Sequence, residues 1–350
     1  MNVSIYDVAK LAGVSISTVS RALNSSGYVS EKTRKKVMEA MEELRFVPSI
    51  TAQNLAKEQT MLIGLYFPLL ATGAGALSSV YFMEFIRGVN EVVMNKGYHL
   101  LLINETNKEK DLLEGVQTPQ YSLFLKQKRI DGLLFGSAPL RNSSFLELVK
   151  NGSPMVYIGE RQVSDRGLNV YALLKQNIWQ SLDYLYERNH RNIMVLSASD
   201  LHIPGIVAAY REQKRDVRLQ IDVWESNDDL DTYLDFMSDV YRQDQWPTGL
   251  MIMDLSRVQP TINVLNNLGL RVPEDVSLIT QEHRYSDGEH CFPAATSVYV
   301  PVYEMAREAA HLLFDYLEGN VEYNEQKLLT PRIIERQSVT MRTVPPHIDG

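Results

Sequence analysis

Residues 7–24 read Asp7-Val-Ala-Lys-Leu-Ala-Gly-Val-Ser-Ile-Ser-Thr-Val-Ser-Arg-Ala-Leu-Asn24 and predict two short helices joined by a tight turn. Val8, Leu11 and Ala12 recur at three- and four-residue spacing, which gives the first helix an apolar stripe. Ala9 is small, so a second helix can approach the first one closely. We therefore expect this stretch to fold as a packed pair of helices.

The turn between the two helices begins at Gly13, because a chain that leaves a helix often needs the positive φ that glycine adopts without strain. Ser15 is a good N-cap for the second helix. Val19 and Leu23 follow at four-residue spacing and are expected to face inward. A small residue, a glycine four positions later and an apolar residue six positions after that form the helix-turn-helix pattern.

The second helix leaves Ile16, Ser17, Ser20 and Arg21 on one outward face, because their spacing places them together. Arginine grips guanine through two hydrogen bonds, serine bonds base edges or phosphates, and an apolar side chain touches a thymine methyl. Such a face is typical of a helix that reads the major groove of DNA. The alternative is a small helical hairpin with a solvated polar face, which leaves the exposed Ile16 unexplained.

Charge is divided unevenly along the 350 residues. Residues 1–60 hold 8 Lys and Arg against 6 Asp and Glu, a net charge of +2. The rest of the chain has a net charge of −10, so that the whole chain carries −8. The sign favours nucleic acid as a partner of the N-terminal end alone. Hydrophobic residues make up 45%, enough for sizeable cores, and the length predicts two or three domains.

The cysteine count and the hydropathy disfavour secreted and membrane proteins. The single cysteine, Cys291, cannot form an intrachain disulfide and suits a reducing compartment, where a small packed hydrophobic residue is its simplest role. The helix-turn-helix begins within ten residues of Met1, which leaves no room for a signal peptide, and no apolar run reaches membrane-spanning length. We therefore expect a cytoplasmic protein that associates with the nucleoid when it binds DNA.

A third helix is predicted after the hairpin. Ser30 can cap it, and Val37, Met41 and Leu44 give it an inward stripe. Its first turns hold four basic residues: Lys32, Arg34, Lys35 and Lys36. These side chains either contact phosphates beside the recognition helix or form a solvated charge run.

Residues 49–58 are short and only weakly apolar. Ser49 could cap a two-turn helix, but such a helix is marginal alone because nucleation is costly and few hydrogen bonds repay it. We expect the helix to form only when something packs against it. The alternative is a plain flexible linker.

From Met61 onward the pattern changes to alternating strands and helices. Strands are predicted at residues 61–67, 99–103, 132–135, 154–158, 192–197, 219–224, 250–253, 276–279 and 296–300. Helices are predicted at residues 82–96, 110–128, 143–151, 176–189, 205–214, 228–243, 257–268 and 302–318. This series predicts an α/β region of two doubly wound parallel-sheet lobes, with a ligand cleft between the lobes beyond the carboxyl ends of the strands.

No catalytic, metal or cofactor site is predicted. The sequence has no P-loop, no paired-glycine dinucleotide motif after a strand, no Gly-x-Ser-x-Gly elbow and no zinc-ligand spacing. The seven histidines are scattered, and a lone histidine is more often structural or solvated than catalytic.

The chain resembles the lactose-repressor (LacI/GalR) family of bacterial transcriptional regulators over nearly its whole length. At the N-terminus the resemblance lies in residues 5–24, Val29-Ser-Glu-Lys-Thr-Arg-Lys-Lys-Val37 and Ala52-Gln-Asn-Leu-Ala56. Further along it lies in Phe85-Ile-Arg-Gly88, Lys96-Gly-Tyr98, Arg129-Ile-Asp-Gly-Leu133, His190-Arg-Asn-Ile193, Leu268-Gly-Leu-Arg-Val-Pro-Glu-Asp-Val-Ser277, Tyr303-Glu-Met305 and Leu329-Thr-Pro-Arg-Ile-Ile334.

The resemblance implies a domain organisation. An all-α helix-turn-helix DNA-binding domain covers residues 1–48, a hinge helix or linker covers 49–60, and a tail covers 342–350. Between them, residues 61–341 form an effector-binding and dimerisation domain that resembles a periplasmic sugar-binding protein. Lobe one covers about 61–161 and 301–325, and lobe two covers about 162–300 and 326–341.

The resemblance also implies which residues contact DNA. In the family the second helix enters the major groove, and the hinge becomes helical only on operator DNA, where a leucine, Leu55 here, wedges into the minor groove and kinks the duplex. The predicted DNA-binding residues are Ser15, Ile16, Ser17, Thr18, Ser20, Arg21, Asn24, Thr33 and Leu55.

The effector pocket departs from the family pattern. His202 stands where the family has an arginine, Met253 replaces the asparagine before Asp254, Leu173-Leu174 replaces an Asp-Asn pair, and Gln281-Glu282-His283 replaces a Phe-Asp-Asp turn. The predicted effector-binding residues are Glu160, His202, Trp224, Asp254 and Glu282, because carboxylates with an aromatic face suit a polyhydroxylated ligand. The alternative is that these are surface or core residues and that the ligand is atypical or absent.

These features predict a homodimeric repressor of a carbohydrate-use operon, bound to a pseudo-palindromic operator and released by a small sugar or sugar phosphate. The chain is not expected to be an enzyme. Rival hypotheses are a sugar-binding protein without a DNA function and a doubly wound enzyme fused to a DNA reader. A requirement for a protein corepressor stays open. No leucine-heptad tail follows Val339, which favours a dimer over a helical tetramer.

Overall fold

The structure, a computed structural model, describes residues 3–24, 28–47, 59–67, 80–105, 117–139, 142–159, 166–197, 203–226, 229–243 and 245–342. It divides into two compact units, Met1–Leu62 with Phe124–Asp131, and Ile63–Leu123 with Gly132–Gly350.

The first unit opens with three helices, α1 (Ile5–Ala12), α2 (Ile16–Asn24) and α3 (Glu31–Glu43). Val8, Val19 and Val37, one from each helix, are fully buried and form the centre of a small core. The predicted turn is confirmed, since Gly13 ends α1 with a φ of 66°. The glycine that the sequence supplies thus marks the end of α1.

One inward position of α1 was predicted wrongly. Leu11 is 45% exposed, and Ala9 is buried instead, together with Val8 and Ala12. A helix turns about 100° per residue, so a stripe centred on Val8, Ala9 and Ala12 carries Leu11 past its edge. Two alanines on this stripe let α2 and α3 approach α1 closely.

The first unit also holds the end of the predicted hinge. The carboxylate of Asp131 accepts hydrogen bonds from the backbone N–H groups of Thr60, at 2.8 and 3.0 Å, and of Met61, at 2.9 Å. The backbone N–H of Asp131 in turn donates to the carbonyl of Leu62 at 2.9 Å. These bonds fix the point at which the hinge segment ends.

The second unit alternates strands and helices. In chain order its elements are β1 (Leu62–Tyr66), α4 (Val80–Asn95), β2 (His99–Ile103), α5 (Gln120–Lys126), β3 (Gly132–Phe135), α6 (Ser143–Lys150), β4 (Met155–Ile158), β5 (Leu168–Tyr171), α7 (Leu174–Glu187), β6 (Asn192–Ser197), α8 (Ile203–Lys214), β7 (Gln220–Glu225), α9 (Leu230–Val240), β8 (Gly249–Ile252), α10 (Val258–Asn267), β9 (Ser277–Glu282), β10 (Thr296–Tyr299), α11 (Val302–Leu317), β11 (Gln326–Leu328) and β12 (Arg332–Ile334). β1 and α5 each straddle the division between the two units.

The strands form two six-stranded sheets, which confirms the predicted fold class. The first has the order β11-β5-β4-β3-β1-β2, and the second has the order β12-β10-β9-β8-β6-β7. The described pairings are parallel, except that β12 runs antiparallel to β10. In each sheet, successive strands are added first on one side of the starting strand and then on the other. A ligand cleft is expected at the carboxyl ends of the strands where this switch occurs.

The core of lobe one depends on the close approach of α4 and α11. A Cβ added to Gly88 in α4 would lie 2.4 Å from the carbonyl oxygen of Tyr303 and 2.8 Å from the Cβ of Ala306. Only glycine fits this crossing, which accounts for one of the short stretches that resemble the family. Ala306, Ala309 and Ala310 bring the rest of α11 against the same buried cluster.

Three short strands were missed, and they move the predicted boundary between the lobes. Leu168–Tyr171, assigned to lobe two from the sequence, pairs with Met155–Ile158 and so belongs to the first sheet. Gln326–Leu328 pairs with Leu168–Tyr171 and also joins the first sheet. Only Arg332–Ile334 adds to the second sheet as expected for lobe two. A helix was predicted over residues 110–128, and in the described part of that range the helical residues are those of α5.

Candidate functional site

The start of α2 is fixed by hydroxyl groups that were predicted to contact DNA. The backbone N–H of Thr18 donates to Ser15 Oγ at 3.2 Å. The hydroxyls of Ser17 and Thr18 both lie 2.8 Å from the same oxygen. Ser15 and Thr18 therefore form the N-terminal cap of α2, and this role does not depend on a contact with DNA.

The outward face of α2 is as predicted. Ile16 is 39% exposed, Ser17 and Arg21 are exposed, and Ser20 is partly buried on the same side. Val19, on the opposite side, is fully buried. Arg21 is exposed to solvent on a helix whose opposite side is held by the core through Val19.

Thr33, another predicted DNA contact, lies in the cap of α3. Its backbone N–H donates to Ser30 Oγ at 3.2 Å, and the two hydroxyls lie 2.9 Å apart. Beside it Lys32, Arg34 and Lys36 are exposed, and Lys35 lies 3.9 Å from Glu39. A row of cations thus flanks the first turn of α3. The Asn24 side chain and all of Leu55, Glu160 and His202 fall outside the described residues.

Trp224 and Asp254 lie at the carboxyl ends of β7 and β8, where the cleft was expected. The Trp224 ring stacks on Phe236 at 4.5 Å and an interplanar angle of 10°, which covers one of its faces. Asp254 accepts bonds from the backbone N–H and the hydroxyl of Ser256 at 3.0 and 2.7 Å, and its other oxygen lies 3.6 Å from Arg257. Asp254 is exposed, so it keeps room for a further partner.

Glu282 is not placed to bind an effector, and this prediction is corrected. Its side chain is fully buried, and its two carboxylate oxygens accept bonds from Arg336 at 3.0 and 3.2 Å. The backbone N–H of Gly288 donates to the same carboxylate at 2.8 Å. The resemblance indicated the position of Glu282 but not that an arginine 54 residues away occupies its carboxylate.

The sequence analysis missed a polar cluster at the cleft, formed by Asn177, Gln281, His283 and Tyr81. Asn177 Nδ2 donates to Gln281 Oε1 at 2.5 Å, and Gln281 Nε2 lies 3.3 Å from His283 Nε2. The His283 ring meets the edge of the Tyr81 ring at 5.3 Å. Tyr81, from lobe one, donates its hydroxyl to the carbonyl of Gly136 at 2.8 Å. This polar cluster connects the carboxyl ends of the two sheets.

Two members of the polar cluster have polar atoms without a partner among the described residues. They are Asn177 Oδ1 and His283 Nδ1, and Asn177 itself is 2% exposed. Burial lowers the pKa of His283 to about 4, against the opposing effect of the Asp287 and Asp254 carboxylates, so the ring is neutral at pH 7. The signal that could have revealed this cluster is Asn177, a polar residue at an inward position of the helix predicted at residues 176–189.

Among the described residues, no group of three or more His, Cys, Asp or Glu side chains is arranged to hold a metal ion. None of the described helices combines the length and the apolar character that crossing a membrane requires.

Two family models match the chain. One, described as bacterial regulatory proteins of the lacI family, matches residues 4–49, and the other, a periplasmic binding protein-like domain, matches residues 182–339. The chain is 27% identical over 347 residues to catabolite control protein A of Priestia megaterium, covering 97% of this chain and 99% of that protein. It is 31% identical over 345 residues to the transcriptional repressor PurR of Klebsiella pneumoniae subsp. pneumoniae, covering 96% of both.

Solved structures share the fold. The lac repressor dimer bound to operator and the anti-inducer ONPF superposes with a TM-score of 0.79 at 20% identity, covering 97% of this chain and 100% of that one. The complex of the transcriptional regulator CelR with cellobiose gives a TM-score of 0.61 at 23% identity, covering 96% and 99%. Together with the full-length relatives, these findings show that the chain belongs to the LacI family of bacterial regulatory proteins, a family of DNA-binding transcriptional repressors.

Proposed function

We propose that the protein is a homodimeric repressor that binds a pseudo-palindromic operator through α2 and is released when a small carbohydrate enters the cleft between its lobes. The observation that carries the proposal is the outward face of α2, where Ile16, Ser17 and Arg21 project from a helix with a closed core. A dimer with two-fold symmetry presents two such helices to two half-sites. We place this activity in the cytoplasm, where operator DNA is found.

The side chains on this face suit base readout. The planar fork of Arg21 matches the O6 and N7 acceptors of guanine, and the exposed Ile16 suits a thymine methyl. The exposed cations of α3 add contacts to phosphates, which position a protein on DNA without reading its sequence. The rival hypothesis, a sugar-binding protein without a DNA function, gives this face no role.

The hinge is the proposed route from effector to DNA. The end of residues 49–60 is held at Thr60 and Met61 by Asp131, directly before β3 of lobe one. A change in the angle between the lobes would therefore change the separation of the two hinges in a dimer. Effector binding and operator binding are then coupled reciprocally. Leu55 is the proposed wedge in the minor groove.

The effector is proposed to be a carbohydrate because the cleft carries polar groups beside an aromatic ring, Trp224, and an exposed carboxylate, Asp254. Glu160 and His202 remain candidate contacts. Solved relatives of this fold are described with cellobiose and, for a regulator of Enterococcus faecalis, with ribose.

Selection of DNA from a random pool tests the operator hypothesis. The full-length protein should enrich inverted repeats, and Arg21→Ala should weaken binding to the enriched site by about 1–3 kcal/mol and relax the preference at one base pair. Arg242→Ala, which removes an exposed arginine from lobe two, is the control and should bind as the wild type does. If the protein enriched no sequence, the proposal would be refuted. If Arg21→Ala weakened binding to random DNA as much as binding to the enriched site, Arg21 would be assigned to a phosphate contact.

Hydrogen exchange over residues 49–57 tests the hinge. Protection should appear with operator and disappear when effector is added, because two short turns of helix do not persist alone. Leu55→Ala should lose operator affinity and keep effector binding. Equal protection in the free and bound proteins would mean a preformed helix and would remove the route from cleft to DNA.

A further inference from the structure

The second sheet has a pocket at the edge opposite the cleft. Asn192 and Gln220 are the first residues of β6 and β7, and Thr248 directly precedes β8, so the pocket that they line lies where these parallel strands begin. The cleft lies at the carboxyl ends of the same strands. The two places are separated by about 17 Å along the six residues of β6, since a strand rises about 3.3 Å per residue.

Three arginines, Arg191, Arg218 and Arg342, line this pocket, which we call the arginine pocket. Its volume of about 360 Å³ suits a small ligand, and the other described residues that line it are uncharged. We propose that the arginine pocket is a second ligand site, separate from the effector cleft, and that it binds a small phosphate monoester. This site goes beyond the proposed function and does not depend on it.

Asp216 holds two of the arginines side by side. Its carboxylate accepts a hydrogen bond from Arg191 Nε at 2.9 Å and lies 3.3 Å from Arg218 Nε. Hydrogen bonds from Arg218, Tyr186 and Arg191 hold the pKa of Asp216 well below its usual range, so this carboxylate stays ionised. It neutralises one of the three guanidinium charges and leaves a net charge of about +2, which matches the charge of about −1.5 to −2 on a phosphate monoester at pH 7.

Each guanidinium keeps N–H groups for a ligand besides the bonds that orient it. Arg191 Nη1 donates to two backbone carbonyls at 2.7 and 3.1 Å, and Arg342 Nη1 donates to the carbonyl of Asp275 at 2.9 Å. Among the described residues, Arg191 Nη2, Arg218 Nη1 and Arg342 Nη2 have no hydrogen-bond partner. Guanidinium groups bind phosphate oxygens through charge-assisted hydrogen bonds, so these atoms supply donors for the terminal oxygens of an ester.

His190, beneath the pocket, is affected by its positive charge. His190 Nδ1 lies 3.1 Å from the hydroxyl oxygen of Thr248, which lines the pocket. Burial is the chief reason that the pKa of His190 is lowered to about 4, and the charges of Arg342 and Arg191 lower it further, against the hydrogen bond that the ring makes to a backbone carbonyl. The charge at the floor of the pocket is therefore positive even though Asp216 pairs with two of the arginines.

Trp246 gives the pocket an apolar wall. The side chain is partly buried and packs against the core of the second sheet, and its backbone carbonyl accepts a hydrogen bond from Asn192 Nδ2 at 3.0 Å. Trp246 also lines the pocket. An aromatic surface beside arginines suits the C–H face of a sugar or the ring of a base, whereas inorganic phosphate leaves it uncovered. We therefore expect an organic ester to bind more tightly than inorganic phosphate.

Calorimetric and fluorescence titrations of the full-length protein test the proposal. The probes are glucose 6-phosphate, ribose 5-phosphate and adenosine 5-monophosphate, each beside its unphosphorylated counterpart, together with inorganic phosphate and citrate. We expect at least one ester to bind about tenfold or more tightly than its counterpart, inorganic phosphate and citrate. The same ester should change a tryptophan emission that Trp246→Phe removes. Binding by none of the esters would overturn the proposal, as would equal binding of citrate, or equal binding of inorganic phosphate, which would mark an adventitious ion only.

Variants then locate the ester. Arg218→Gln combined with Arg342→Gln removes two of the three charges and should weaken ester binding about tenfold or more. Arg242→Gln, an exposed arginine of the same lobe, is the matched control and should keep the wild-type affinity. Arg218→Gln alone changes a side chain that is 62% exposed, so it should weaken ester binding without unfolding the protein if the double variant does not fold.

Wild-type ester affinity in Arg218→Gln and in the double variant would place the ester elsewhere and refute the proposal. Binding of unphosphorylated sugars and of operator is measured in parallel and should be unchanged in Arg218→Gln. Failure of the arginine pocket and failure of the proposed repressor function are therefore distinguished.

Discussion

Replacing Arg336 by leucine should destabilise lobe two strongly, because this arginine neutralises a buried carboxylate. Arg336 and Glu282 expose 7% and 0% of their side chains, respectively. Besides its two bonds to Glu282, the guanidinium donates to the carbonyls of Ala295 and Tyr285, both at 2.7 Å, and to Ser297 Oγ at 3.0 Å. Its removal leaves Glu282 with the backbone N–H of Gly288 as its remaining described donor.

The expected magnitude follows from the burial of both charges. Breaking a buried ion pair by removing one partner costs about 3–5 kcal/mol, since the other charge is left uncompensated. At roughly 2–4 °C per kcal/mol for a unit of this size, the melting temperature of Arg336→Leu should fall by about 10 °C. The double variant Glu282→Gln with Arg336→Leu should recover most of this loss, because no buried charge remains and glutamine still accepts from Gly288.

Calorimetric melts of the four proteins, the wild type, Arg336→Leu, Glu282→Gln and the double variant, measure the effect. Arg242→Ala, in an ion pair with both partners largely exposed, is the control and should melt close to the wild type. A melting temperature of Arg336→Leu within about 2 °C of the wild type would refute the reasoning. Effector binding by the double variant gives a second check, since it should persist if Glu282 has the structural role described here.

Three further measurements address charge, pH and the hinge. Replacing Lys32, Arg34 and Lys36 together by alanine should flatten the fall of operator affinity with salt, because fewer counterions are then released; an unchanged slope in filter-binding or anisotropy titrations would remove these side chains from the DNA interface. Burial is the chief reason that the pKa of His190 is lowered to about 4, so the unfolded chain takes up the extra proton first as pH falls below about 6.5. The free energy of unfolding should therefore decrease by up to about 3 kcal/mol by pH 4. His190→Gln should reduce this pH dependence in denaturant titrations, and a pH profile identical to that of the wild type would contradict it. Asp131→Ala leaves two backbone N–H groups without their acceptor and should cost about 1–3 kcal/mol in a thermal melt, with a smaller loss for Asp131→Asn, which keeps an acceptor oxygen; equal losses in the two variants would point to charge and not to hydrogen bonding.

The helices of the first unit were predictable because their rules are local. Gly13 adopts the positive φ expected after α1, and Ser15 and Ser30 accept bonds from backbone N–H groups three residues later. Each of these interactions joins residues within one helical turn, so both partners can be identified from a short stretch of sequence. The same holds for the inward position of Val19.

The short strands were missed because pairing is not local. Gln326–Leu328 is a three-residue polar segment with no alternating pattern, and it becomes a strand by pairing with Leu168–Tyr171. The latter was missed because Asn169 interrupts its apolar residues, whereas the predicted four-residue strand Gly132–Phe135 has no polar side chain. Their position beside Met155–Ile158 depends on the completed first sheet. The boundary between the lobes, which rests on these strands, could not be placed from periodicity alone.

The cleft shows why a shared sequence position does not fix the role of a side chain. Successive side chains of a strand point to opposite faces, so Gln281, Glu282 and His283 at the end of β9 cannot all face the same partner. The structure turns Glu282 to Arg336 and brings Gln281 and His283 together, where Asn177 meets them. Because Arg336 and Gly288 occupy its carboxylate, Glu282 takes no part in the polar cluster that its two neighbours form with Asn177. At the strand end that the family resemblance indicated, Gln281 therefore bonds both Asn177 and His283, while Glu282 bonds Arg336.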